Sequence, residues 1–410
     1  MNTFKLLLAA VLCAACAGFA QAQTDVRLTG STAYRSNVHS AITHVLDAGF
    51  TYAYSGSTLG GSSYAIFHGT VGGNAVVIKT SWSGSEGGIQ TVSASLPVLY
   101  YLDSVAGTTG GQGGLGNPVV GTNGDTETPD VAMSDSYQSS SAFFGLYRGT
   151  TYPTLTESPN SPVGVVPFKF VVAKTSASGP PPALTNITSQ LARDLFSTTG
   201  MGLALFTGNN ADEGFTVYGT GRDPDSGTRL TALAETGLGA QATVKQFQPQ
   251  DASNNVITTS GGTIDHFAPW PAETVNGIPV SLYNGGYSSG GTLAAAMGNN
   301  TPANTTTITY LGTNDANNTA IPAGAVELSY CGQFLGGNGS TDYNTVTALT
   351  EGKYSFWGYE HLYYRSGTSG VVKTTADTVA NQLLTTDAVV RLSSMHVSRT
   401  TDGGKITQNY

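Results

Sequence analysis

Arg222-Asp223-Pro224-Asp225-Ser226-Gly227-Thr228 combines a guanidinium, two hydroxyls and a glycine in one short run. These residue types suit the holding of an oxyanion. Arginine offers a charged planar fork matched to pairs of oxygens, and serine and threonine hydroxyls donate hydrogen bonds. Glycine lets the backbone approach closely. Before the run, Gly214-Phe215-Thr216-Val217-Tyr218 is strand-like; after it, Arg229-Leu230-Thr231-Ala232-Leu233-Ala234-Glu235 has a helical pattern closed by Gly237. Strand, polar loop and helix together place Ser226, Gly227 and Thr228 at a helix N-terminus. Free N–H groups and the positive end of the helix dipole attract an anion there. Read by itself, the run also fits a serine N-cap on an ordinary surface helix, so the rest of the chain has to decide.

Three earlier segments have the same build. A strand at 25–29 leads through Gly30-Ser31-Thr32-Ala33 into a helix at 34–48, with Val38, Ile42, Val45 and Leu46 on one face and Thr32 as its expected cap. A strand at 75–79 leads through Ser83-Gly84-Ser85-Glu86-Gly87-Gly88 into a helix from near Ile89. Asp130-Val131-Ala132-Met133 leads through Ser134-Asp135-Ser136 into an expected helix at 137–146. Three such units argue for a parallel sheet covered by helices. In such sheets ligands bind beyond the carboxyl ends of the strands, where all these loops would gather.

Further on, residues 163–173 form an apolar strand broken only by Pro167 and Lys169, expected to be fully buried. A helix is expected at 185–196, strands at 307–311 and 325–330, an aromatic strand at 351–363 and a closing helical region at 375–395. The stretches 54–73 and 107–129 are rich in small and polar residues and read as loose excursions. Residues 254–262 and 285–291 read as surface loops.

With 410 residues the chain can hold two or three domains. Only 10% of residues are charged, and 53 are glycine, a composition suited to a secreted protein with long polar loops. Lys5, an apolar run at 6–20 and Ala20-Gln21-Ala22 form a secretory leader cleaved after Ala22, which implies a periplasmic or secreted protein. Cys13 and Cys16 fall in that leader; Cys16 lacks the Leu at −3 preferred by a lipoprotein signal, and lipid anchoring stays a minor option. Cys331 is then the only mature cysteine, which excludes an intrachain disulfide and a cysteine-based zinc site. Loss of Lys5 takes the 17 basic residues to 16 against 26 acidic ones, a net charge of −10. Nucleic acid is therefore not an expected partner. An acidic protein that binds an anion must do so with local dipoles and a few placed cations.

The four loops, in this order, resemble those of the phosphate-binding protein of bacterial phosphate ABC transporters, within the type II periplasmic-binding-protein superfamily. Gly30-Ser31-Thr32-Ala33 is similar to the family's first ligand loop, and Gly84-Ser85-Glu86-Gly87-Gly88-Ile89 to its second. Asp130-Val131-Ala132-Met133-Ser134-Asp135 is similar to the third, and Arg222 with Ser226, Gly227 and Thr228 to the fourth. Weaker echoes at 166–174 and 354–362 fall where that family's two crossing strands run. The resemblance implies a two-lobed α/β fold with the ligand cleft between the lobes. One lobe would comprise 23–165 and 357–410, and the other 166–356, after a signal peptide at 1–22. It implies a monomeric binding protein, not an enzyme, that takes phosphate or a related tetrahedral oxyanion to an ABC permease without a cofactor or metal. The implied ligand residues are Thr32, Ala33, Ser85, Asp135, Arg222, Ser226, Gly227 and Thr228.

The departures from the pattern are specific. Pro224 stands where the family has an aspartate bracing the arginine, so Asp223 or Asp225 is expected to take that task. Ala33 replaces a bulkier residue, and Glu86 places a carboxyl beside the expected pocket. The mature chain also exceeds the usual family length, with the excess in Gly/Ser/Asn-rich loops. Asp135 carries the expected selectivity. A carboxylate in an anion pocket is repulsive unless the ligand bears a proton, which hydrogen phosphate has and sulfate lacks. Read locally, Asp135 also fits an N-cap.

Other chemistry is thinner. His39, His44, His68, His266, His361 and His396 are scattered, and no G-x-S-x-G elbow is present. Trp82 and the aromatic run around Trp357 read as packing. The alternative to a transport protein is a secreted or surface protein that uses the same fold for adhesion, sensing or phosphatase-like hydrolysis.

Overall fold

Two fully buried strands carry the chain across the middle of one mixed sheet. In the computed structural model, which describes residues 23–103, 124–175, 184–336 and 342–409, the strands that follow one another side by side across this sheet are these. They are β1 (Thr24–Gly30), β2 (Thr51–Tyr54), β3 (Tyr64–Val71), β4 (Asn74–Ser81), β5 (Val131–Ser134), β6 (Gly164–Val172), β7 (Met201–Gly202), β8 (Thr216–Gly219), β9 (Thr305–Gly312) and β10 (Trp357–Tyr364). Their spatial order is β7-β8-β9-β6-β10-β5-β1-β4-β3-β2. The leader with Cys13 and Cys16, and most of the 107–129 stretch, lie outside the described residues.

β1 runs parallel to β4 on one side and to β5 on the other, so that Thr29 stands opposite both Ser81 and Ala132. The loops after these three strands therefore leave the sheet at one edge. In the other half, β8 and β9 are parallel, with Tyr218 opposite Thr307. β6 links the halves. Its first residues pair with β10, from Gly164–Glu360 to Pro167–Trp357, and its later ones with β9, from Phe168–Gly312 to Val172–Ile308. Pro167, which has no N–H to give a ladder, sits where the strand changes partner. β10 in turn passes from β6 to β5, where His361 stands opposite Ser134. The result is a two-lobed α/β fold crossed by β6 and β10.

The helices that matter for the site are α1 (Arg35–Val45), α2 (Ser85–Ser93), α3 (Ser189–Ser197), α4 (Gly227–Glu235), α5 (Gly290–Met297) and α6 (Gly370–Gln382). One extended core joins β1, β6 and β10 through Val26, Leu28, Val165, Phe168 and Trp357. A second packs Leu293, Ala294 and Met297 of α5 on Val171 and Leu311. Lys169 is buried inside an otherwise apolar strand, and its ammonium meets Glu327 at 2.6 Å and Asn317 at 3.0 Å. Paired and hydrogen-bonded, the charge is tolerated there; removal of either partner would strand the other.

Several local expectations give way. Residues 137–146 form a 3-10 turn at Gln138–Ser140 and then a hairpin of Gly145–Tyr147 with Thr150–Tyr152, not a helix. Three consecutive serines offer the backbone competing hydrogen bonds, and Arg148 (φ 48°) with Gly149 (φ 83°) forms the left-handed pair that a tight hairpin needs. Residues 54–73 hold β3 and are not a loose excursion. The expected strand at 351–363 starts only at Trp357, after a helical turn at Thr347–Thr350 and a left-handed Gly352 (φ 74°). The strand at 325–330 is two short pieces, Val326–Glu327 and Ser329–Tyr330. The closing helical region runs from Gly370 to Gln382 and then loosens into a π-turn at Leu383–Asp387.

Candidate functional site

The loops after β1, β4 and β5 are tied to each other before they meet anything else. Ser31 N–H donates to Met133 O and Gly84 N–H to Gly30 O, each at 2.9 Å. Gly30 has φ 116°, and a Cβ there would stand 1.9 Å from Met133 O, so only glycine fits. α2 opens at Ser85 without a side-chain cap. The N–H groups of Glu86 and Gly87 donate instead to Asp225 O of the other lobe, at 2.9 and 3.3 Å. Two of the orphan donors expected to face an anion thus hold a backbone carbonyl across the cleft.

Arg222 is 2% exposed. Its Nε donates to Tyr287 O and its Nη2 to Ser288 O, both at 2.9 Å, and its Nη1 reaches across the cleft to Thr32 Oγ1 at 3.1 Å. The expected brace from Asp223 or Asp225 is not what holds it. Asp223 accepts from Asp225 N–H at 3.2 Å, and the Asp225 carboxyl is taken by Asn276 Nδ2. Burial pushes both carboxyls up from their ordinary range, against the pull of the nearby Arg222 charge. Backbone carbonyls of the 285–291 segment do the bracing, and that segment is not a surface loop: Gly285, Gly286 and Tyr287 are buried.

Asp135 is 1% exposed and gathers hydroxyls from both lobes. Ser85 Oγ donates to Oδ1 at 2.5 Å, and Thr228 Oγ1 to Oδ2 at 2.9 Å. Burial raises its pKa, while the two hydroxyls and Arg222 pull the other way. Gly227 packs so tightly here that a Cβ would stand 1.8 Å from Asp135 Oδ1 and 2.6 Å from Ser85 Cβ.

The remaining expected residues lie alongside. Ser226 Oγ accepts from Arg229 N–H at 3.2 Å and caps α4, so its side chain plays the local role open to it from the start. Thr32 does not cap α1, whose N-cap is Tyr34 with no side-chain bond; its hydroxyl serves Arg222. Ala33 faces the end of β9, where a Cβ on Gly312 would stand 3.2 Å from its own. Trp82 packs away from the cleft, with its Nε1 donating to His39 Nε2 at 3.0 Å.

Glu86 does not act as a free negative charge. It is buried between the hydroxyls of Ser136 (2.9 Å) and Ser141 (2.6 Å), and burial pushes its pKa up to about 8. The folded protein therefore holds a proton that the unfolded chain releases, and stability falls as pH rises from the ordinary carboxyl range through about 8. Glu86→Gln keeps the shape without the ionisation. Thermal melts across pH 5 to 8, about the window between those two limits, should show a shallower decline in this variant than in the wild type. Equal slopes would mean that Glu86 is ionised in the fold.

Sequence reading passed over Tyr287, Ser288, Arg35 and Asp315, all at or beside the Arg222 guanidinium. A signal was available for the first pair. Ser289-Gly290-Gly291-Thr292 repeats the hydroxyl–glycine opening of α4, and Ser289 caps α5. Among the described residues no group of three or more His, Cys, Asp or Glu is placed to hold a metal ion. Nor is any described helix long and apolar enough to cross a membrane.

No protein-family model matches the chain, and no curated protein does. Solved structures do, and two of those it matches are described as proteins of phosphate ABC transport. A substrate-binding protein of Clostridium perfringens, described as that of a phosphate ABC transporter and solved with bound phosphate, is 10% identical with TM-score 0.44 over 89% of this chain and 98% of that one. An ABC-type phosphate transport receptor from Vibrio cholerae is 10% identical with TM-score 0.42 over 88% and 98%. PstS from Borrelia burgdorferi is 12% identical with TM-score 0.34 over 89% and 94%. Identities are low and the superpositions loose, so the reading of the cleft rests on its own residues.

Proposed function

We propose that this cleft binds phosphate, and that the protein is an extracytoplasmic solute-binding protein that hands the anion to an ABC permease. One observation carries the reading. Ser85 from one lobe and Thr228 from the other meet on Asp135, while Arg222 spans the same cleft to Thr32. Donor hydroxyls, a fixed guanidinium and a single acceptor are what a partly protonated tetrahedral oxyanion needs. Backbone N–H groups at Ala33 and at Gly227 and Thr228 of α4 complete the proposed ligand set. We take the lobes to divide at 165/166 and 356/357, two residues before β6 exchanges β10 for β9 between Pro167 and Phe168.

The test is calorimetry of the mature chain with phosphate, sulfate and molybdate, with tightest binding expected for phosphate. Asp135 sets the gap to sulfate, because an ionised carboxylate can only accept and rewards a ligand oxygen that keeps its hydrogen. Asp135→Asn retains the shape and adds donors. The phosphate-to-sulfate preference should shrink by about 1.5–3 kcal/mol, the worth of one hydrogen bond to a charged group. An unchanged ratio, measured by competition at one pH and salt concentration, removes Asp135 as the discriminator.

A further inference from the structure

Arg35 opens α1, three residues after Thr32, and is 8% exposed. Among the described residues its Nε is buried without a hydrogen-bond partner. The charges that act on it are Asp315, which follows β9, and Arg222. Asp315 is itself 8% exposed and feels the same two guanidiniums. The N-terminus of α5 fixes the geometry. A Cβ on Gly290 would stand 2.0 Å from Asp315 Oδ2 and 3.6 Å from Arg222 Nη1, the nitrogen that also reaches Thr32. Asp315 and the Arg222 guanidinium therefore flank the start of α5, and Arg35, whose charge acts on Asp315, brings a buried Nε with no partner among the described residues.

An unpaired buried donor on a cation is costly, and a like charge next to it adds to the cost. Arg222 has its own carbonyls, whereas among the described residues the Arg35 Nε meets no acceptor. We propose that Arg35 is a further ligand-contacting residue of this cleft, a second guanidinium that favours a doubly charged tetrahedral oxyanion. The proposal rests on the reading of the cleft as an oxyanion site. Asp315 balances one of the two arginines, and the second charge is left for the ligand to meet with a charge-assisted bond to the free Nε. Asp315 then opposes binding, since it competes with the anion for Arg35.

That opposition gives the two residues opposite signs in one experiment. Phosphate is titrated calorimetrically into the mature wild type, Arg35→Gln and Asp315→Asn, with thermal melts as folding controls. Arg35→Gln should weaken phosphate tenfold or more, and Asp315→Asn should tighten it a few-fold. If Arg35 serves only to hold Asp315 in place, both variants weaken binding together, and the proposal is overturned. If Arg35→Gln does not fold, Asp315→Asn decides alone: tighter binding supports the proposal, and unchanged or weaker binding overturns it. A wild type that binds no phosphate removes the oxyanion reading itself. A wild type that binds, beside an Arg35→Gln variant that binds equally well, removes only the role of Arg35.

Discussion

Arg222→Ala is expected to weaken phosphate binding by about 2–4 kcal/mol, the scale of lost charge-assisted hydrogen bonds in a buried site. That is roughly thirty- to several-hundred-fold in affinity. The residue is placed for such an effect because its guanidinium is immobilised before any ligand arrives, by Tyr287 O and Ser288 O at 2.9 Å each. A pre-set fork loses little entropy when it captures an anion. The same substitution strips a partner from the carbonyl of Tyr287, a residue only 3% exposed, and should lower the melting temperature as well. Arg222→Lys separates the two roles. It keeps the charge, gives up the planar fork, and should bind with intermediate affinity. An Arg222→Ala protein that is folded and binds phosphate within a few-fold of wild type would place the anion elsewhere.

Gly227→Ala should be at least as damaging, for a steric reason. Alanine is normally the better helix residue, by up to about 1 kcal/mol. Here its Cβ would lie 1.8 Å from Asp135 Oδ1 and 2.6 Å from Ser85 Cβ, distances that packed atoms do not adopt. The start of α4 must retreat from α2 and from the loop after β5. That retreat pulls Thr228 Oγ1 off Asp135 and moves the α4 N–H groups out of line. Each lobe keeps its own core, so the melting temperature should change little while phosphate affinity falls more than about a hundredfold, or roughly 2.8 kcal/mol. Calorimetry paired with thermal melts reads both quantities. Wild-type affinity in the variant would mean that the contact between α4 and Asp135 is irrelevant to binding.

The amino-acid sequence by itself settled what depends on near neighbours. The strand–loop–helix rhythm is visible in β1, β4 and β8, because period-2 and period-3.6 patterns of apolar residues are local properties. Ser226 as cap of α4 follows from three adjacent residues, and the apolar 163–173 run could only be a buried strand. The α/β architecture was legible from the order of such segments, and the two crossing strands followed from the family resemblance. The roles of individual polar groups were not. Thr32 looked like a cap of α1 and instead serves Arg222, 190 residues away. Asp223 and Asp225 stood next to Arg222 in sequence, but carbonyls 65 and 66 residues on hold it. Glu86 read as a carboxyl beside the pocket, and only its burial between two serines pushes its pKa up to about 8. The 285–291 segment, small and polar, looked like surface and instead buries Gly285 to Tyr287 and holds the Arg222 guanidinium by its carbonyls. In each case the local chain specifies which donors and acceptors exist, and only the packed structure decides which of them water can no longer reach. Once water is excluded, the nearest polar group in space must satisfy each one, however distant it is along the chain.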